Sequence, residues 1–350
     1  MSPRTPRQLS GGALTRLADE VPDLRAFRSA VLERLRPAIG FDWYVWVLTD
    51  PRTTVGVDPL AEVPDLSELP RMIRLKYLTA LNRWPGLETV AVLGDRAGES
   101  ALWAGIQRRH GVADVASVSF RDRFGCWGFL DLWSSRPYAA ADVALLRDLA
   151  PMVTLALRQG QARTFGVVPS VEAPAGGPVV ILLDDDLRVT GLTAASEEWL
   201  RVLLPGPDGA PPVPAGAYNV AAQLLAREQG VDDHEAMARA HLSGGFWVTL
   251  RASRIVPDGA IAVTMEPAAA DDRLDVFARA TGLSDREREL LTHLAHGADT
   301  REAAGLLCVS PHTVQDHLKS IFAKTATGSR RVLLSHVLGT RTADGTEGHP

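Results

Sequence analysis

Residues 283–335 read LSDRERELLTHLAHGADTREAAGLLCVSPHTVQDHLKSIFAKTATGSRRVLLS, and the organisation of the chain follows from this stretch. Ser284 followed three residues later by Glu287 is capping-box spacing, so a helix starts there. Leu290, Leu291 and Leu294 give it an apolar stripe, and Gly297 can close it with a left-handed cap. Thr300 can cap a short second helix, Arg301 to Leu307, with Ala303, Ala304 and Leu307 facing inward. Ser310 caps a third helix that begins at Pro311, where a missing N–H costs nothing. A last helix, Ser329 to Val337, carries Val332, Leu333, Leu334 and Val337, more apolar surface than one small head needs.

The third helix is the informative one. At 100° per residue Val314, Leu318, Ile321 and Phe322 share one side and must pack. His312, Asp316, Lys319, Ser320 and Ala323 fall on the other side, with Thr313 and Gln315 on its flanks. Two compact helices joined by a short turn, the second with a small polar outer face, suit insertion into a DNA major groove.

The stretch resembles the LuxR/NarL-type helix-turn-helix domain. The matching landmarks are Arg286 to Glu289, Gly297, Glu302, Ala304, Leu307, Ser310, Thr313-Val314, His317-Leu318, Ile321, Lys324 and Ser329-Arg330. The resemblance implies double-stranded DNA as partner, with Gln315, Asp316 and Lys319 at base-reading positions. It places Thr313, His317, Lys324 and Arg330 where the family supports the fold or touches phosphates. Gln315 stands where the family often has Lys, and Ala326-Thr327 replaces the usual Gly-hydrophobic pair. Gln favours adenine, Lys guanine, and Asp accepts from cytosine N4, so the first departure shifts the preferred site.

Composition bounds the rest. A chain of 350 residues with 46% hydrophobic and 23% charged residues is that of a globular protein with two or three domains. No apolar run approaches a membrane span, and two cysteines, Cys126 and Cys308, fit a reducing cytoplasm. The net charge is −5, but residues 283–341 hold eight Lys/Arg against six Asp/Glu, and five of the nine histidines. A mildly basic head on an acidic body suits a site-specific binder.

Ahead of the head the pattern changes. A helix is expected at Asp23–Ile39, and a buried strand at 41–48, "FDWYVWVL". A helical segment around 69–81 precedes strands at 87–93, 112–122 and 126–133 and a closing helix from 140 to about 159. This order, with the hairpin "VSFRDRFGCWGFLDLWSS", resembles a GAF domain, which implies a small-molecule pocket on one face of an antiparallel sheet. Strict alternation puts Trp127, Phe129, Asp131 and Trp133 on one face. With Trp46 they are the candidate effector contacts, Asp131 being the polar handle; the other reading is an aromatic core with Asp131 paired to an arginine such as Arg121. A cysteine on that strand, Cys126, reads as inert packing or as a redox sensor.

Residues 160–178 are rich in Pro, Gly and Ala and read as a linker. A hairpin at 179–192, a helix Thr193–Leu204, helical segments at 219–228 and 233–241, and strands at 246–255 and 260–265 resemble a compact PAS fold. Asp184 to Asp186 reads as a hairpin turn: the chain has no lysine between Lys76 and Lys319, which a phospho-accepting receiver needs. No phosphate loop, G-x-S-x-G, H-E-x-x-H or Cys-x-x-Cys occurs, so neither an enzyme, a cofactor nor a metal is expected.

The expected architecture is multidomain α+β. An arm at 1–21 is followed by a GAF-like antiparallel-sheet sensor domain at 22–160 and a linker at 161–178. A PAS-like α/β module at 179–270, an all-α four-helix LuxR-type domain at 279–340 and a tail at 341–350 complete it. The expected activity is that of a cytoplasmic, homodimeric transcription regulator. It would bind a dyad-symmetric operator, answer a small-molecule effector of unknown identity and have RNA polymerase as a further partner. The rival reading makes the front domains mere dimerisation scaffolds of a constitutive regulator or protein-interaction module.

Overall fold

The computed structural model describes residues 11–167, 179–196, 199, 215–242, 246–257 and 259–340. The fold is mixed α+β, with two five-stranded antiparallel sheets followed by a helical C-terminal region. Contacts divide the chain into two compact units. The first gathers Met1–Gly160, Gly176–Ala240 and Leu250–Glu266; the second gathers Gln161–Ala175, His241–Thr249 and Pro267–Pro350. Among the described residues no helix is long and apolar enough to cross a membrane.

In the first unit α1 (Gly11–Glu20) and α2 (Leu24–Ile39) precede β1 (Trp43–Thr49) and β2 (Gly56–Glu62). Residues 11–20, expected within an arm, are helical because Leu14, Leu17 and Ala18 bury one face. Asp23 caps α2 by accepting from the Ala26 N–H, and Gly40 ends it in the left-handed region. Then come α3 (Leu69–Leu78), β3 (Val90–Val92), α4 (Ala101–Gly105), β4 (Asp114–Asp122), β5 (Gly125–Ser134) and the long α5 (Ala140–Thr164). The strand order is β2-β1-β5-β4-β3. Strand β2 was not expected from the sequence; it lies at the edge, where Pro59 removes no needed donor. Gly125 (φ +153) must be glycine, since a Cβ there would lie 2.5 Å from the Pro51 carbonyl oxygen.

The second sheet has the order β7-β6-β10-β9-β8. Its strands are β6 (Val179–Leu183), β7 (Val189–Leu192), β8 (Met237–Leu242), β9 (Phe246–Arg254) and β10 (Ile261–Pro267), with α6 (Ala215–Glu228) before β8. The helix expected at 233–241 is instead a turn and then β8. Asp232 fastens that turn by accepting from the backbone and ring nitrogens of His234, and residues 237–240 are buried in the sheet. The expected helix Thr193–Leu204 falls mostly outside the described residues; within them 194–196 are helical and Trp199 is buried. The helical tract of α5 runs to Thr164, into the expected linker, of which 168–178 lie outside the described residues, as does the tail at 341–350.

Inside the first unit the two sheets are fastened by a dry ion pair. Asp50, just past β1, takes the Arg239 Nε at 2.6 Å, its Nη2 at 2.8 Å and its backbone N–H at 2.9 Å, with both side chains almost wholly buried. Thr53 donates its hydroxyl to the Met237 carbonyl. Burial alone would raise the Asp50 carboxyl; the charge and hydrogen bonds of Arg239 outweigh it and hold it below the usual range.

Candidate nucleic-acid interface

The second unit's core is one cluster running from Leu283, Leu290, Leu291 and Leu294 through Ala303, Leu307, Val314, Leu318 and Ile321 to Leu333 and Val337. Five helices build it: α7 (Ala270–Ala280), α8 (Asp285–Ala295), α9 (Thr300–Leu306), α10 (Pro311–Thr325) and α11 (Arg330–Leu338). Helix α8 starts in the expected capping box, Ser284 and Glu287 bonding each other's backbone N–H. The second cap differs from expectation. Asp299, not Thr300, is the N-cap of α9, in a further capping box with Glu302. Ser310 caps α10 through the Thr313 N–H, and Pro311 is its first residue.

Helix α7 was not expected. It explains the surplus apolar surface of α11, because Leu274, Val276 and Phe277 join the same core as Leu333 and Val337. Arg273 donates to the carbonyls of His336 and Val337, each at 3.0 Å, and so satisfies the end of α11. Phe165 stacks on Trp247 at 4.7 Å and meets Phe277 edge-on at 5.3 Å.

Glu287 does more than cap. It is buried, and its carboxylate accepts from Ser320 Oγ and Lys324 Nζ of α10, both at 2.6 Å. Burial pushes its carboxyl up, but the hydrogen bonds from Lys324, Ser320 and Ser284 prevail and hold it at about 2. Ser320, placed by helical phase on the outer side, is therefore turned toward α8. Lys324 serves the fold, its ammonium held by Glu287. Arg330 likewise donates to the Ala298 carbonyl at 2.6 Å, bracing the turn before α9.

The remaining candidates form the outward face of α10. Gln315, Asp316 and Lys319 are exposed, and Thr313 and His317 are half-buried at its edges. Thr313 Oγ1 pairs with Ser310 Oγ at 2.9 Å, fixing the first turn. Lys319 Nζ donates to Asp316 at 3.0 Å, and His312 Nε2 lies 3.6 Å from the same carboxylate. The hydrogen bond and charge of Lys319 hold the Asp316 carboxyl below the usual range. Ala326, which with Thr327 stands in place of a Gly-hydrophobic pair, ends α10 in the left-handed region (φ 51°), and Thr327 is buried.

In the first unit the five candidate effector contacts divide between two faces. Phe129, Asp131 and Trp133 share one, but a register shift pairs Phe120 with Gly128 and Arg121 with Cys126. This bulge breaks strict alternation and re-aims Trp127, whose Nε1 donates to Asp122, the partner of Arg158 on α5. Trp46 pairs across from Leu130 and stacks on Phe120, on the face opposite Phe129. Asp131 is paired, though with Lys76 at 2.9 Å rather than with Arg121, and it also accepts from Trp84 Nε1 at 2.9 Å. Trp84 lies flat on Phe129 at 5.3 Å, covering it. Cys126 is buried, and burial pushes its thiol up. Asp232, Asp233 and His234 bring three potential metal-ligand atoms together. The Asp232 carboxylate is already taken by Arg83, Gln223 and His234.

Residues 281–337 match the family model described as bacterial regulatory proteins, luxR family. No curated protein sequence matches the chain. Among solved structures, SdiA of Escherichia coli superposes with a TM-score of 0.32 at 13% identity, over 94% of this chain and 96% of its own. The bacteriophytochrome RpBphP3 of R. palustris gives 0.31 at 12%, over 76% of this chain and 65% of its own. VqmA of Vibrio cholerae gives 0.18 at 16%, over 46% and 82%. These likenesses are distant, and the family match over α8 to α11 is what identifies the head. Its helices, α8 to α11, form a LuxR-type helix-turn-helix domain.

Proposed function

We propose that this chain is a DNA-binding transcription regulator of the LuxR type, cytoplasmic and homodimeric, and that it reads a dyad-symmetric operator through the outward face of α10. The carrying observation is that α10 is held from behind while its front stays free. Val314, Leu318 and Ile321 are in the core, Ser320 and Lys324 are tied to Glu287, and Gln315, Asp316 and Lys319 face outward. One head reads too few base pairs for a unique site, so two are needed. Thr313, His317 and Arg330 set the pose of the helix, and RNA polymerase is the downstream partner.

The first sheet with its helices is read as a GAF-like sensor (22–160) and the second as a PAS-like module (179–270). Together they form the input region, without enzymatic chemistry, cofactor or metal. A small-molecule effector would act by shifting the population of head spacings. The second reading, front domains as scaffolds only, is favoured by one observation: Lys76 and Trp84 already occupy Asp131 and cover Phe129.

Selection of genomic fragments by the full chain, with a salt titration, tests the main reading. One dyad-symmetric motif is expected, lost in the Gln315→Ala/Lys319→Ala variant. Weak, motif-free binding that falls steeply with salt would reduce the head to phosphate contacts and sink site-specific regulation.

A further inference from the structure

The reading face of α10 carries an acid between its two other candidate base contacts. Asp316 is exposed, lies one helical turn from His312, and takes the ammonium of Lys319 at 3.0 Å. Lys324 is committed to Glu287 and Arg330 to the Ala298 carbonyl, which leaves Lys319 as the lysine presented by this face. A helix that enters a groove walled by phosphates therefore offers a carboxylate and holds its cation against it.

We propose that Asp316 is a specificity filter, keeping Lys319 from phosphates and acceptor edges until a base amino group, cytosine N4 or adenine N6, takes the carboxylate. This inference rests on α10 being the base-reading helix.

The chemistry is asymmetric. Guanine presents N7 and O6 and thymine O4 toward the major groove, all acceptors, and a carboxylate has nothing to donate to them. Set against them, Asp316 is desolvated without a partner, and a mismatch of this kind lowers affinity about tenfold or more. Against cytosine or adenine the carboxylate gains a donor and gives up Lys319. The exposed pair it surrenders is worth about a few-fold in affinity, enough to bias Lys319 yet readily displaced by a base amino group. Lys319 is then free for an adjacent phosphate or guanine. The acid thus lowers affinity for DNA in general while raising the contrast between one base class and the other.

The test compares full-length wild type with Asp316→Ala, Asp316→Asn, Lys319→Gln and the Asp316→Ala/Lys319→Gln double variant. Each is used for site selection and for a salt series on a duplex of unrelated sequence. Asp316→Ala is expected to bind the unrelated duplex about three- to tenfold more tightly, with a salt slope steeper by roughly one phosphate. It should lose the preference for C or A at one position of each half-site. Both the tighter binding and the steeper slope should vanish in the double variant, because the released cation is Lys319. Asp316→Asn, which can donate, should accept G or T at that position. A uniform loss of affinity with the motif intact would make Asp316 a positioning residue and overturn the filter, as would an unchanged motif and slope. A wild-type chain that selects no motif overturns base reading itself, and the filter with it.

Discussion

Each unit is held by a buried carboxylate, and the two do so by different means. In the first unit Asp50 meets Arg239 in a fully dry pair that joins two sheets across 189 positions of sequence. In the second, Glu287 bonds the backbone three residues away and two side chains of α10, 33 and 37 positions on. The first resembles a rivet between preformed layers, whereas the second grows out of a local helix cap. A cap extended in this way sets the orientation of a helix whose face must remain free. A dry pair between sheets offers no free face, only cohesion.

The difference can be broken most forcefully at Asp50. Asp50→Ala takes the carboxylate away from the buried Arg239 guanidinium and should cost about 3–5 kcal/mol. Urea unfolding followed by tryptophan fluorescence would register it, since seven of the eight tryptophans belong to the first unit. A loss under 1 kcal/mol would mean that water reaches the pair.

Glu287 gives a smaller effect with a pH signature. Its folded value lies below the unfolded one of about 4.3, so its stabilisation is present above pH ~4.3 and is lost as pH falls toward about 2. Glu287→Gln should cost the head about 2 kcal/mol at pH 7 and flatten that acid limb, as seen by circular dichroism. Parallel acid limbs in both proteins would show that Glu287 carries no coupled proton. Smallest is Ala326→Gly, which relieves a left-handed alanine and should stabilise the head by about 1 kcal/mol. A destabilised variant would mean that the alanine methyl contributes packing greater than its backbone strain.

These cases also show what could be read from the sequence. Ser284 and Glu287, three apart, gave away the start of α8, and the period of Val314, Leu318 and Ile321 gave the buried side of α10. Both signals lie within one or two turns. The bulge that re-aims Trp127 was illegible because alternation assumes unbroken pairing, and nothing in Cys126-Trp127-Gly128 marks the shift. Residues 237–242, Met-Ala-Arg-Ala-His-Leu, suit either helix or strand, and the chain settles the matter at a distance, through Asp50 and the neighbouring strand. The second role of Glu287 and the clasp of Arg273 on α11 were likewise hidden, since both join residues far apart in sequence.

The distribution of amines has a practical consequence. The chain has three lysines: Lys76 is buried against Asp131, Lys324 is partly shielded by Glu287, and Lys319 stands open with its side chain 73% exposed. An acylating reagent that attacks side-chain amines would thus mark α10 first, without any engineered tag. Mass spectrometry of the tryptic fragments, taken with and without duplex present, would then record occupancy of that one face as protection of a single amine.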